Sequence, residues 1–171
     1  MLQSPEQEPA SEETVLLQET GLGAYQVKVR SGCATFLVDE PFGVGGLASG
    51  PNPYDLLGAA IGASALMTMR LFATERAFPT DQIRVRVTHY RGNQGEQPLF
   101  VKEIELTGDL TGDQRQELAN LSSLCPVEVA ISPGCVVRTV LASDEFTDDS
   151  ALCRYGHVRD MHETIRQNNP T

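Results

Sequence analysis

Basic residues and cysteines are both scarce in this chain, and each scarcity removes a class of function. Only 13 Lys and Arg stand against 23 Asp and Glu, a formal net charge of −10 over 171 residues. Nucleic-acid binding draws its affinity from clustered cations that displace counterions from phosphates, so no polyanion partner is expected. Four cysteines (Cys33, Cys125, Cys135 and Cys153) at uneven spacing do not make the disulfide framework of a small secreted domain; reduced thiols in a cytoplasm are expected instead. No two of them lie at a zinc-type spacing. His157 and His162 are five residues apart, which turns them about 140° from each other on a helix. No metal or other cofactor is expected.

Long apolar runs are missing as well. The longest, around residues 56–73, is interrupted by Ser64, Thr68 and Arg70, and the N-terminus lacks the basic-then-apolar layout of a signal peptide. A soluble, cytoplasmic, non-membrane protein follows as the expectation. The length suits a single packed domain. Residues 1–13 hold several Glu, two Pro and no basic residue, which reads as a disordered acidic arm. The domain is expected over 14–142, with 143–171 a polar tail carrying a short helix around His157 to Arg166.

What is present reads as α+β. Segments 14–19, 24–30 and 33–39 predict three strands, separated by glycine-containing turns, and in the second Tyr25, Val27 and Val29 alternate with Gln26, Lys28 and Arg30. A Gly/Pro-rich loop covers 41–53. A long helix then starts with Asn52 as cap, Pro53 in the first turn and Asp55 near the positive end of the dipole, and stops before Pro79. Its first half, Gly58 to Ala65, is built of small residues, and its second half is apolar on nearly all sides, the pattern of a buried helix. Strands at 82–91 and 99–107 predict a hairpin. Thr111 and Gln114 form a capping box for a second helix, and Cys125-Pro126-Val127-Glu128 opens a third. A last strand is expected over 135–141. Strands in runs, not in alternation with helices, favour α+β over a βαβ repeat.

Three chemistries compete on these residues. A cysteine at a helix N-terminus is held toward its thiolate by the backbone N–H groups there, and Cys125 has that position, with Glu128 one turn on opposing it. Cys33 and Cys135 fall in expected strands, where small apolar packing is the plainer role. A dinucleotide fingerprint traced through Gly43, Gly45 and Ala48 does not open a helix and reads as a turn-rich loop. A serine hydrolase of the common kind needs G-x-S-x-G on a strand-to-helix turn, whereas Gly62-Ala63-Ser64-Ala65-Leu66 lacks the second glycine and lies mid-helix.

The segments Asp39-Glu40-Pro41, Val44-Gly45-Gly46, Gly50-Pro51-Asn52-Pro53-Tyr54-Asp55-Leu56-Leu57, Gly62-Ala63-Ser64, Met67-Thr68-Met69-Arg70 and Cys125-Pro126-Val127 together resemble the OsmC/Ohr family, and its OsmC-like branch in particular. The resemblance implies two antiparallel sheets wrapped around long central helices in an intertwined homodimer. It also implies thiol peroxidase chemistry in the oxidative stress response. In the family a cysteine on the long helix attacks an organic hydroperoxide, and the cysteine of C-P-V resolves the sulfenic acid with the help of an external thiol reductant.

Cys125 matches the resolving position, and Ser64 stands at the attacking one. Tyr54 stands where the Ohr-type branch has a glutamate, with Asp55 beside it, and Arg30 is a loose match for an assisting arginine. Glu128 replaces the histidine that follows C-P-V. A hydroxyl cannot become a sulfenic acid. Two functions remain open on this reading: a non-catalytic member holding a small apolar molecule between Tyr54, Ser64 and Cys125, or residual one-cysteine chemistry through Cys125. Whether the chain is an enzyme at all stays open at this point.

Overall fold

The computed structural model describes residues 14–32, 34–91, 99–135, 137–139, 141–142 and 156–168. The acidic arm, Cys33, Cys153 and the first part of the expected tail lie outside them. The order of elements is β1 (Val15–Glu19), β2 (Val27–Ser31), β3 (Ala34–Val38), α1 (Pro53–Glu75), β4 (Thr80–Tyr90), β5 (Leu99–Gly108), α2 (Gly112–Ser122), α3 (Pro126–Ile131) and α4 (Gly156–Gln167). This is an α+β chain with two antiparallel sheets, β1-β2-β3 and β4-β5.

Local signals place the helices. The Asn52 side chain accepts from the Tyr54 and Asp55 N–H groups, while Asp55 accepts from the Asn52 N–H, so α1 begins in a closed capping box. Thr111 and Gln114 do the same for α2. The α1 helix ends at Glu75, three residues before the expected point. Ala77 takes a left-handed φ of 51°, and the N–H groups of Ala77 and Phe78 return to the carbonyls of Thr74 and Ala73. This pair of bonds satisfies two terminal carbonyls that Pro79 alone would leave open.

By length and composition α1 could cross a membrane, with a mean hydropathy of 1.6, yet it lies at the centre of the fold. Met69, Phe72 and Ala73 form the core with Ile83 of β4, Leu118 and Leu121 of α2 and Ile165 of α4. Small residues in its first half meet the hairpin, where a Cβ at Gly62 would press on Val87 at 3.0 Å. The neighbour at this crossing is therefore a side chain of the hairpin. Burial covers only one side of the helix. Ala59, Ala60, Ala63 and Met67 share the opposite side and are exposed in the single chain.

The three-stranded sheet is also left partly bare. Leu17, Val29 and Phe36 are in register across one face; Val29 on the middle strand is buried, while Leu17 and Phe36 on the outer strands stay exposed, and among the described residues no helix packs extensively on this sheet. The loop from β3 to α1 hangs on Asp39. Its carboxylate accepts from the N–H groups of Glu40, Leu47 and Ser49 and from the Ser49 hydroxyl, and Ser49 in turn accepts from Gln26. A Cβ at Gly46 or Gly50 would overlap the carbonyls of Glu40 and Leu37.

The expected strand over 135–141 is not seen at its described residues, Val136 and Val140 lying outside them. Among its described residues none pairs with a strand, and Val137 and Leu141 are almost fully exposed. A β-branched, apolar segment makes a strand only where an edge is free to receive it, and among the described residues no edge pairs with this one. Cys135 is accordingly exposed, not packed in a sheet, and its thiol lies 2.9 Å from the Ala130 carbonyl.

Candidate functional site

Ser64 lies mid-way along α1 on the buried side, 2% exposed. Its own carbonyl accepts the Thr68 hydroxyl one turn on, a bond that ties up Thr68 within the helix. The Ser64 hydroxyl points away from α1 toward two other helices. Val127 N–H, in the first turn of α3, donates to Oγ at 3.4 Å, and His157 Nε2, at the start of α4, stands 2.8 Å from the same oxygen. With the imidazole proton on Nδ1, Nε2 accepts the Ser64 hydroxyl proton while Oγ accepts from Val127. One oxygen thereby joins three helices.

Cys125 is the N-cap of α3, two residues before Val127, and is fully buried. Its side chain makes no cap hydrogen bond. The fold therefore brings Ser64 to the start of the helix that Cys125 opens, through packing of α1 on α3. Glu128, expected to oppose a thiolate here, is itself paired: Lys102 of β5 reaches its carboxylate at 2.6 Å and also donates to the Ser122 carbonyl. Lys102 is mostly buried, so its charge acts on Glu128 in a poorly screened setting.

The other expected residues stand elsewhere. Tyr54 begins α1, ten residues before Ser64, which is about 15 Å along the helix axis. It stacks on His89 at 4.3 Å, His89 stacks on Phe100 at 4.5 Å, and the Arg91 guanidinium lies over Tyr54. These rings close one end of a cleft of about 350 Å³ between α1 and the hairpin, floored by Gly58 and Gly62 and walled by Val87. His89 Nε2 is buried there without a hydrogen-bond partner among the described residues. Asp55 has its carboxylate committed to the α1 cap. Arg30 is on β2, between Leu16 and Thr35, and among the described residues nothing joins it to Ser64 or Cys125.

His157 is the residue that sequence reasoning passed over, having weighed it only as a metal ligand. The available signal was the pattern Val158, Met161, Ile165, an apolar stripe at helical spacing in an otherwise polar tail. That stripe docks α4: Met161 and Ile165 are buried, and the docking carries His157 to Ser64. Among the described residues no cluster of His, Cys, Asp and Glu could hold a metal.

Solved structures share this arrangement of elements. An OsmC-like protein from Mycoplasma pneumoniae superposes with a TM-score of 0.61 at 16% identity, over 71% of this chain and 88% of that one. An organic hydroperoxide resistance protein from Legionella pneumophila gives 0.55 at 18% identity, over 75% and 94%. A proposed osmotic stress induced and detoxification response protein from Psychrobacter arcticus gives 0.62 at 16%, over 74% and 93%. At such identities the likeness is one of fold. No curated protein matches the sequence significantly. Residues 46–140, more than half of the chain and including Ser64 and Cys125, match the family described as OsmC-like protein, and the chain belongs to that family.

Proposed function

We propose that this protein is a stress-response member of the OsmC-like family in which the two-cysteine reduction of organic hydroperoxides is interrupted at Ser64. One observation carries the reading: the oxygen of Ser64 sits buried at the start of the helix opened by Cys125, in the place the family pattern gives to an attacking sulfur. Reduction of a peroxide by this route transfers one peroxide oxygen to a thiolate sulfur, giving a sulfenic acid and an alcohol, and a hydroxyl has no oxidisable atom to receive it. Full burial of Cys125 argues against the second reading, one-cysteine chemistry at that thiol, because reactive thiols are at least partly exposed.

A homodimer belongs to the same proposal. The exposed Leu17 and Phe36 on the outer strands of β1-β2-β3 and the exposed stripe of α1 are surfaces that a second copy would bury. The test is consumption of cumene hydroperoxide with a dithiol reductant by wild type, Ser64→Cys and Cys125→Ser. Wild type is expected to be nearly silent and Ser64→Cys to gain turnover. Strong wild-type turnover that survives Cys125→Ser would overturn the reading.

A further inference from the structure

We propose that α4 is an autoinhibitory strap, a helix from outside the family region that docks on Ser64 and keeps residue 64 out of reach of a hydroperoxide. The inference rests on the reading that residue 64 is the attacking position, and it adds a second, independent interruption at the same place. The family match ends at residue 140, whereas α4 is Gly156–Gln167. The element that closes on Ser64 is thus not part of the region the family pattern describes.

One face of α4 is given over to this contact. His157, Met161 and Ile165 are spaced by four, which stacks them on the same side of a helix. Met161 and Ile165 are buried at 6% and 3% exposure, and they anchor the helix, Ile165 in the core that also holds Phe72 and Leu121. The anchors set the imidazole in place, with Nε2 2.8 Å from Ser64 Oγ. A peroxide oxygen attacking from an atom at residue 64 must approach it to about 3–3.5 Å. His157 already stands at that distance, Val127 N–H takes a second side, and Ser64 is left 2% exposed. The docked helix fills the space that an incoming peroxide needs.

The way α4 is attached lets it open by itself. It is the last described element, and among the described residues no main-chain hydrogen bond joins it to another element. Side chains hold it: the two apolar anchors, His157 on Ser64, and His162 beside Glu75 at 3.4 Å, where both groups are about half exposed. On opening, Met69, Phe72, Ile83, Leu118 and Leu121 still have one another. A terminal segment with few buried groups and no shared main-chain bonds opens locally, at a lower free energy than global unfolding. Opening uncovers residue 64 beside the helix that Cys125 begins, so any turnover gained by Ser64→Cys is set by the fraction of chains with α4 undocked.

The experiment alkylates residue 64 in the full chain, with iodoacetamide added to Ser64→Cys under native conditions and modification at that residue followed by peptide mass. The rate is expected to be about 10²-fold or more below that of the urea-unfolded chain. Adding Met161→Ala or Ile165→Ala removes an anchor and should raise it about 10-fold or more. Val29→Ala, a buried change on β2, should leave it within about 2-fold. Circular dichroism checks that each variant is folded, and Met161→Ala carries the comparison if Ile165→Ala is not. In wild type, the amides of α4 should exchange with a urea slope well below that of global unfolding. Alkylation as fast as in the unfolded chain, an equal rise in Val29→Ala, or exchange of α4 through global unfolding alone would each overturn the proposal. No peroxide is present in these measurements, so the covering of residue 64 and the interrupted peroxidase can fail independently.

Discussion

His157 Nε2 stands 2.8 Å from Ser64 Oγ, so the last described helix is fastened to the middle of the first. The bond is short, but the apolar stripe of α4 supplies most of the fastening, since Ile165 at 3% exposure shares the core with Phe72 and Leu121. Truncating Ile165 to Ala should cost about 2–4 kcal/mol by loss of buried methyl groups and the cavity left behind. His157→Ala, which removes one hydrogen bond to a half-buried ring, should cost about 0.5–1.5 kcal/mol. Urea unfolding of the two variants checks the order, and a larger loss in His157→Ala would contradict it.

Lys102 provides a second test close to the same site. Its ammonium is held between the Glu128 carboxylate and the Ser122 carbonyl. Lys102→Met preserves the length of the side chain but leaves Glu128, which is only partly exposed, without its countercharge. A loss of about 1–3 kcal/mol is expected, more than an exposed ion pair is worth and less than a fully buried one. The double variant Lys102→Met, Glu128→Gln should recover part of the loss, and no recovery would show that the ion pair is not the cause.

Asp39 gives the chain a dependence on acid. Burial works against its charge, yet the Ser49 hydroxyl and the N–H groups of Glu40, Ser49 and Leu47 together hold the carboxyl below its ordinary range. A carboxyl depressed in the folded state stabilises the fold above its unfolded value of about 3.9, and that contribution is lost as pH falls through the lower folded value. The melting temperature of wild type should therefore exceed that of Asp39→Asn by a constant margin above about pH 5, and the margin should shrink below about pH 4. A margin that grows on acidification would refute this.

Ala77 offers a gain in stability. It adopts φ 51° where the end of α1 turns back, a region in which a Cβ is crowded and glycine is at ease. Replacing it with Gly should raise stability by about 0.5–1 kcal/mol, the relief of left-handed strain exceeding the added freedom of the unfolded chain. The check is a higher urea midpoint at unchanged slope.

The capping box at Asn52 and Asp55, the second at Thr111 and Gln114, and the proline after the Cys125 cap were all readable before any coordinates. Each closes its hydrogen bonds within a few residues, so neighbouring letters carry the whole instruction. The strand β2 and the hairpin were legible for a like reason, because a period of two marks a half-buried face wherever it packs. The stop of α1 was less so. Pro79 marked a boundary, while the turn at Ala77 depends on carbonyls and N–H groups that carry no side-chain signature.

Segment 135–141 shows the limit from the other direction. Its β-branched and apolar residues suit a strand, but a strand needs a partner edge, and an edge is a property of the assembled chain. The separation of Tyr54 from Ser64 was implicit in helix geometry. The meeting of Ser64 with His157 was not, because residues 93 apart approach only after α1, α3 and α4 have packed. Local chemistry thus determined the elements and the hydroxyl at position 64 by sequence alone. Long-range burial, which depends on shape and area more than on any single residue type, decided which imidazole that hydroxyl would face.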